Sequence, residues 1–100
     1  MKLFIATMLV IGTITGEKKS ASFVLRNESA SSIPLVIPGV MNPNLSPMSN
    51  SKVTLEEGQE IFFLEKKKRY LLLEVSPELN GDTLIVNDLI KKRKQELDLN

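Results

Sequence analysis

The chain has 100 residues, enough for one domain, and its 42% hydrophobic and 25% charged residues are typical of a sequence that folds around a core. It contains no histidine and no cysteine, which excludes the Ser-His and Cys-His nucleophile pairs, disulfides and the common zinc sites. Its 13 Lys and Arg residues against 12 Asp and Glu residues argue against a dedicated nucleic-acid binder, which needs excess positive charge.

Residues 1–16 have the features of a secretory signal peptide. Lys2 supplies a positive start, residues 3–15 are an unbroken run of apolar, small or hydroxyl side chains, and Gly16 is a small residue at the end. This run is shorter than the roughly twenty residues that a bilayer-spanning helix needs. We expect cleavage after Gly16, although Ser20 and Ser22 offer a second site of similar spacing, and a formally neutral mature domain over 17–100 without a transmembrane segment. The alternative is a buried N-terminal strand or an uncleaved anchor.

The first half of the mature domain predicts strands separated by polar turns. Phe23–Asn27 is rich in β-forming residues. Ile33–Pro38 is apolar but carries two prolines, so we expect a short strand or one at a sheet edge. Gly39–Ser51 contains further prolines and predicts a loop with defined turns, after which Lys52–Leu55 resumes a strand.

The strongest predicted strands are Glu60–Glu65 and Tyr70–Ser76, which flank a basic connection of hairpin length. Side chains alternate along a strand, so Ile61 and Phe63 share one face while Phe62 and Leu64 share the other. Both faces of this hairpin are therefore apolar. Either the hairpin is covered on both sides, or its second face is a binding surface.

The C-terminal part predicts a turn at Asn80-Gly81, a strand over 83–86 and a helix over 88–97 capped by Asn87. Apolar and long side chains recur along one side of this helix, at Leu89, Ile90, Arg93 and Leu97. A helix of this length is marginal alone. We expect it to dock on a hairpin face formed by Phe62, Leu64, Tyr70 and Leu72.

These elements predict a mainly all-β domain, a small antiparallel immunoglobulin-like β-sandwich with a short C-terminal helix. The alternative is an α+β domain in which the helix packs on a single sheet.

The residues favour binding over catalysis. The glycines form no phosphate-binding array, and the densest acidic cluster, Glu56, Glu57 and Glu60, lies on a predicted turn where solvation is the simplest interpretation. Met41 and Met48 make a weak copper(I) pair without histidine, and we expect both to pack against the core. We therefore predict no enzymatic activity, no metal and no cofactor; a carboxylate-dependent hydrolase is a distant alternative.

Three stretches carry a resemblance to a group of proteins. The IPGVMNPNLSP stretch over 37–47, the Gly58-Gln59 turn before EIFF and the KRYLLL run over 68–73 are similar to small exported Bacteroidetes proteins of unassigned function. The resemblance covers most of residues 22–97. It implies a periplasmic or secreted location and no particular activity.

The leading hypothesis is a non-enzymatic binding or assembly module of the bacterial cell envelope with a protein partner. It would use the 39–51 loop or an uncovered hairpin face. The candidate partner-binding residues are Met41, Asn42, Asn44, Leu45, Phe62, Leu64, Tyr70 and Leu72.

The second hypothesis is an anion-binding surface protein that recognises lipid headgroups or polysaccharide through two basic tetrads. The tetrads are Lys66, Lys67, Lys68 and Arg69, and Lys91, Lys92, Arg93 and Lys94. If the helix packs near the hairpin, the two tetrads converge, and we expect them to bind anions together.

Two modification motifs are present. Asp82-Thr83-Leu84 is similar to the acid-hydroxyl-apolar O-glycosylation pattern of exported Bacteroidetes proteins, with Thr83 as the acceptor. Asn27-Glu28-Ser29 and Asn44-Leu45-Ser46 match the N-glycosylation pattern, although Pro47 disfavours the second.

Overall fold

The computed structural model describes residues 19–99, so the predicted signal peptide lies outside the described residues. Within 19–99 the chain forms strands, a 3₁₀ turn over Pro77–Leu79 and one terminal α-helix. The strands are β1 (Ser20–Asn27), β2 (Ile33–Val36), β3 (Asn44–Leu45), β4 (Ser49–Glu56), β5 (Glu60–Glu65), β6 (Lys68–Glu74) and β7 (Thr83–Ile85), and the helix is α1 (Val86–Glu96).

The strands form two sheets, which we name sheet A and sheet B. Sheet A has the order β4-β1-β7, with β1 antiparallel to β4 and parallel to β7. Sheet B has the order β3-β2-β5-β6 and is antiparallel throughout. In β1 every second residue is buried, so the period-2 pattern of its sequence places one face toward the other sheet.

The core lies between the two sheets. Phe23 and Leu25 enter it from sheet A, and Leu35 and Phe63 enter it from sheet B. Each is almost completely buried, which stabilises the fold by about 1.5–3 kcal/mol per side chain. The predicted small β-sandwich with a short C-terminal helix is confirmed, and the helix packs against strands of both sheets instead of lying on one.

Helix α1 begins two residues earlier than predicted and without the predicted cap. Ile85 is the N-cap residue and makes no side-chain capping bond. The Asn87 side chain is engaged elsewhere, because its Oδ1 accepts a hydrogen bond of 2.8 Å from the Glu28 backbone N–H. The prediction of an Asn87 cap is therefore wrong, and the helix follows directly from β7.

The helix closes one side of the sandwich, where it contacts β1, β6 and β7. Its predicted apolar side is confirmed, since Leu89, Ile90 and Leu97 pack against the core. Arg93 reaches from this side to β6, and its Nε donates a hydrogen bond of 2.7 Å to the Leu71 carbonyl. Because β6 is an edge strand of sheet B, this bond satisfies a carbonyl that would otherwise face solvent.

The β5–β6 hairpin has a different arrangement of faces from the one predicted. A two-residue turn and an irregularity at Ile61/Phe62 set the register, in which Phe62 lies opposite Leu71 and Phe63 opposite Tyr70. The Phe63 and Tyr70 rings lie 5.8 Å apart, and Leu72 is also buried. Tyr70 and Leu72 therefore belong to the core side, and their predicted grouping with Phe62 and Leu64 on one helix-docking face is wrong.

Strand β2 is short, as predicted, but it is internal in sheet B and not at an edge. Its ladder with β5 covers only Leu35 and Val36, and Pro34, which has no N–H to donate, pairs with Asn44 of β3. The predicted 39–51 loop contains β3 and the first residues of β4. Asn44 and Leu45, which follow Pro43, pair with β2 although the sequence pattern did not indicate a strand there.

Candidate functional site

The outer face of sheet A is mainly polar, and several of its polar side chains bond to one another, although the half-buried Val24 of β1 and Ile85 of β7 also lie on this face. The hydroxyls of Ser22 and Thr54 lie 2.7 Å apart on neighbouring strands. Arg26 donates to the Asn50 side chain at 3.0 Å and pairs with Glu28 at 3.0 Å. The Ser22–Thr54 and Arg26–Asn50 contacts join neighbouring strands, and most of this face has the character of an ordinary solvated surface.

The outer face of sheet B is apolar. Val36 of β2, Phe62 of β5 and Leu71 of β6 form one cross-strand row, because Val36 pairs with Phe62 and Phe62 with Leu71. Leu64 lies in the next row and is 39% exposed, while the other three side chains are half-buried. We call Val36, Phe62, Leu64 and Leu71 the outer apolar face. Helix α1 packs along the side of the sandwich and not across this face.

Charged side chains flank the outer apolar face at both ends. Glu60 and Glu74 lie directly opposite each other in the row beyond Phe62, and Arg69 lies opposite Leu64 in the other direction. The Arg69 guanidinium carbon is 5.9 Å from the centre of the Phe62 ring, which is within the range of a cation–π contact. The order along the hairpin is therefore acidic, apolar and basic.

The turn between β2 and β3 adds exposed apolar side chains beyond the end of β2. Ile37 and Met41 form a β-bridge, and the Met41 N–H donates to the Ile37 carbonyl at 3.1 Å. Gly39 has a φ of 78°, a conformation that permits the tight reversal between them. Val40 and Met41 are exposed at this turn, and Met48 is exposed before β4, so neither methionine packs into the core as expected.

The structure divides the predicted partner-binding residues into two groups. Met41, Asn42 and Asn44 are exposed, and Phe62 and Leu64 lie on the outer apolar face. In contrast, Leu45 and Leu72 are buried and Tyr70 packs against the core, so these three residues are not available at the surface.

Sequence reasoning missed Val36 and Leu71 as members of the outer apolar face, and it missed the exposed Val40 at the β2–β3 turn. Val36 and Leu71 join the face through the pairing of β2 and β6 with β5. The alternation within each strand was visible, but the register that brings the three strands together was not.

The two predicted basic tetrads lie close together, since Lys94 Nζ is 3.1 Å from Glu65 Oε1 at the end of β5. Arg93 is occupied by its bond to Leu71 and by an ion pair with Glu96 at 3.1 Å. Arg69 lies over Phe62. The other members are exposed lysines, namely Lys66, Lys67, Lys68, Lys91 and Lys92.

The acidic cluster shows no arrangement suited to metal chemistry. Glu57 Oε1 accepts a hydrogen bond of 2.9 Å from the Lys19 backbone N–H, which ties the start of β1 to the β4–β5 turn. Over residues 19–99 there is no group of three or more Asp or Glu side chains that could hold a metal ion. Glu57 therefore has a structural contact, and Glu56 and Glu60 are exposed.

The modification motifs differ in accessibility. Asn27 is completely buried and its Nδ2 donates to the Ser31, Leu45 and Ser46 carbonyls, so attachment of a sugar would break the fold locally. Thr83 and Asn44 are exposed, Thr83 at the first position of β7.

Comparison with protein-family models, with curated proteins and with solved structures finds no match to this chain. Among residues 19–99, no helix has both the length and the apolar content needed to cross a membrane.

Proposed function

We propose that this protein is a non-enzymatic binding module of the bacterial cell envelope that contacts a protein partner through the outer apolar face. The observation that carries the proposal is the difference between the two outer faces. Sheet A presents mainly bonded polar side chains, with Val24 and Ile85 half-buried among them, whereas the apolar side chains of sheet B form the continuous row of Val36, Phe62 and Leu71 with the exposed Leu64 beside it. Adjacent apolar side chains on an outer sheet face are typical of interaction surfaces.

The chemistry of the face suits protein recognition. Phe62 offers a large apolar side chain in the middle of the face, and charged residues border it at both ends. Aromatic residues at the centre of a contact, surrounded by polar residues that exclude water, contribute most of the energy in many protein complexes. Met41 is a further exposed apolar side chain at the β2–β3 turn, where it lies opposite the buried Ile37.

A capture experiment with matched variants tests this use of the face. The purified domain, the Leu64→Glu variant and a Thr54→Glu control would each be used as bait for extracts of bacterial envelopes. Both substitutions add one acid to an exposed strand position, but Thr54 lies on the polar face of sheet A. We expect a stoichiometric partner with the unaltered domain and the control, and its loss with Leu64→Glu. Equal capture by all three baits, or by none, overturns the proposal.

The location in the cell envelope is supported by residues 1–16 and by the resemblance to exported proteins. Mass spectrometry of the protein isolated from its cells tests it. We expect an N-terminus at Glu17, and a mature protein that retains Met1 overturns cleavage.

Anion binding is the second candidate function, favoured by the approach of the two basic tetrads. The Lys94–Glu65 ion pair holds the helix beside the hairpin turn. At that turn Lys66 and Lys67 have φ values of 53° and 69°, a left-handed conformation that is costly for residues other than glycine and asparagine. The lysines thus occupy positions where smaller turn residues would be more stable.

A heparin column tests the anion-binding surface. We expect retention at low salt that is lost in moderate salt, and loss of retention in the Lys66→Glu/Lys67→Glu variant. Lys52→Glu, on the outer face of sheet A, is the control and should bind nearly as tightly as the unaltered protein. Flow-through of the unaltered protein at low salt excludes this function.

A further inference from the structure

Glu60 and Glu74 form a like-charge pair in the β5–β6 ladder, where they lie directly opposite each other. Both side chains are exposed, and neither takes part in an ion pair within residues 19–99. Like charges at opposite positions of a sheet destabilise it. This end of the outer apolar face therefore presents two close negative charges that would be stabilised by a cation from outside the described chain.

Arg69 provides a matching positive charge at the other end of the same face. It pairs with Leu64, one row beyond Phe62 and Leu71, whereas the two acids lie one row before them. At about 3.3 Å per residue, each of these rows is roughly 7 Å from the central row. The acidic and basic ends are thus nearly equidistant from the Phe62–Leu71 row.

We propose that the outer apolar face is the interface of a homodimer whose two-fold axis passes through the Phe62–Leu71 row. A two-fold rotation about this row reverses the order of the rows. It places Arg69 of each copy over Glu74 of the other, one strand spacing from Glu60, and the apolar side chains of the two faces against each other. This inference rests on the proposed function of the face and names its partner as a second copy of the chain.

The second copy fits this face because the complementarity is contained in one sequence. A two-fold interface requires the same surface on both partners to be self-complementary, and the acidic, apolar and basic order meets that requirement. A guanidinium has several donors in one plane and suits two neighbouring carboxylates. In the dimer, the like-charge pair gains its cation while Phe62 and Leu71 lose their exposure to water.

Sedimentation equilibrium over a concentration series tests the homodimer. We expect the purified chain to dimerise. Arg69→Glu should weaken dimerisation by roughly 30- to 100-fold, because both symmetry-related contacts become repulsive. Glu60→Arg/Glu74→Arg should weaken it similarly. The triple variant R69E/E60R/E74R exchanges all the charges and should restore dimerisation.

Lys52→Glu is the matched control, since it makes the same charge change at an exposed position of sheet A and should leave dimerisation unchanged. Circular dichroism of each variant checks that the fold is retained. A chain that stays monomeric at every concentration overturns the homodimer, as does a dimer that is indifferent to Arg69→Glu or is not restored in the triple variant.

The homodimer and the proposed function fail in different ways. A monomer that captures an envelope protein in a Leu64-dependent manner overturns the homodimer alone. A dimer that dissociates in Arg69→Glu covers the outer apolar face with a second copy, so if no bait captures an envelope protein other than this chain, the binding of a different envelope protein alone is overturned.

Discussion

The Asn27 side chain joins the end of β1 to β3 of the other sheet, because its Nδ2 lies 3.1 Å from the Leu45 carbonyl oxygen. The same nitrogen donates to the Ser31 and Ser46 carbonyls, and Oδ1 accepts from the N–H and hydroxyl of Ser29. Asn27 has no exposed surface. Its amide therefore organises the turn after β1 and the end of β3 at once.

Replacing Asn27 should strongly destabilise the fold. Asn27→Ala leaves the Leu45 carbonyl and the other acceptors around the amide without their donor, so we expect the free energy of unfolding to fall by about 2–3 kcal/mol. Urea denaturation measures this change. The control is Asn50→Ala, which removes an exposed amide bonded to Arg26 and should cost less than about 0.5 kcal/mol. Equal losses in the two variants would contradict the buried role of Asn27.

Arg93 should protect the edge of sheet B. Arg93→Met keeps much of the apolar stem but removes the donor to the Leu71 carbonyl, so we expect a loss of about 1–2 kcal/mol and faster aggregation on warming. Thermal unfolding followed by light scattering measures both effects. Lys92→Met, at the exposed neighbouring position, is the control and should change neither by a comparable amount. If the two variants aggregate alike, the edge is not protected by Arg93.

The β5–β6 turn should be improved by substitution. Both Lys66 and Lys67 have positive φ, as a two-residue hairpin turn with right-handed strand twist requires. The Lys66→Asn/Lys67→Gly variant suits this conformation, and we expect it to raise the free energy of unfolding by about 1 kcal/mol. Thermal denaturation measures the gain. The Lys66→Ala/Lys67→Ala variant removes the same charges without relieving the backbone and should show no gain, so a gain of similar size there would assign the effect to charge.

The neighbouring residues Phe62 and Phe63 should have different roles, Phe63 in the stability of the fold and Phe62 in association. Phe63 is 1% exposed and contacts Tyr70 in the core, so Phe63→Ala should lower the free energy of unfolding by about 3–5 kcal/mol. Phe62 lies on the outer apolar face, and Phe62→Ala should cost about 1 kcal/mol or less while weakening association. Chemical denaturation and sedimentation separate the two effects. A large loss of stability in Phe62→Ala would show that Phe62 serves the fold and not a contact.

Much of the fold could be predicted from local pattern. Glu60–Glu65 is a strand with the predicted bounds, and the sandwich with its terminal helix is present. The alternation in β5 also separated Ile61 and Phe63, which enter the core, from Phe62 and Leu64. These features depend on the period of a strand and on turn chemistry, both of which are properties of neighbouring residues.

The candidate site was predicted only in part. Phe62 and Leu64 were expected at an apolar surface, and both lie there. Tyr70 and Leu72 were grouped with them wrongly, because the strand register decides which residues of β5 and β6 share a face. Asn87 was expected to cap the helix, but a backbone N–H distant in sequence, that of Glu28, takes its side chain.

By itself, the sequence determined a mainly β domain with an apolar hairpin, a basic turn and an amphipathic terminal helix, because each of these is set by local periodicity. Only the tertiary structure decided that β2 is internal, that Arg93 covers the β6 edge and that Glu60 faces Glu74 beside an apolar row. These relationships arise from strand pairing and helix docking, which depend on contacts between residues far apart in the chain.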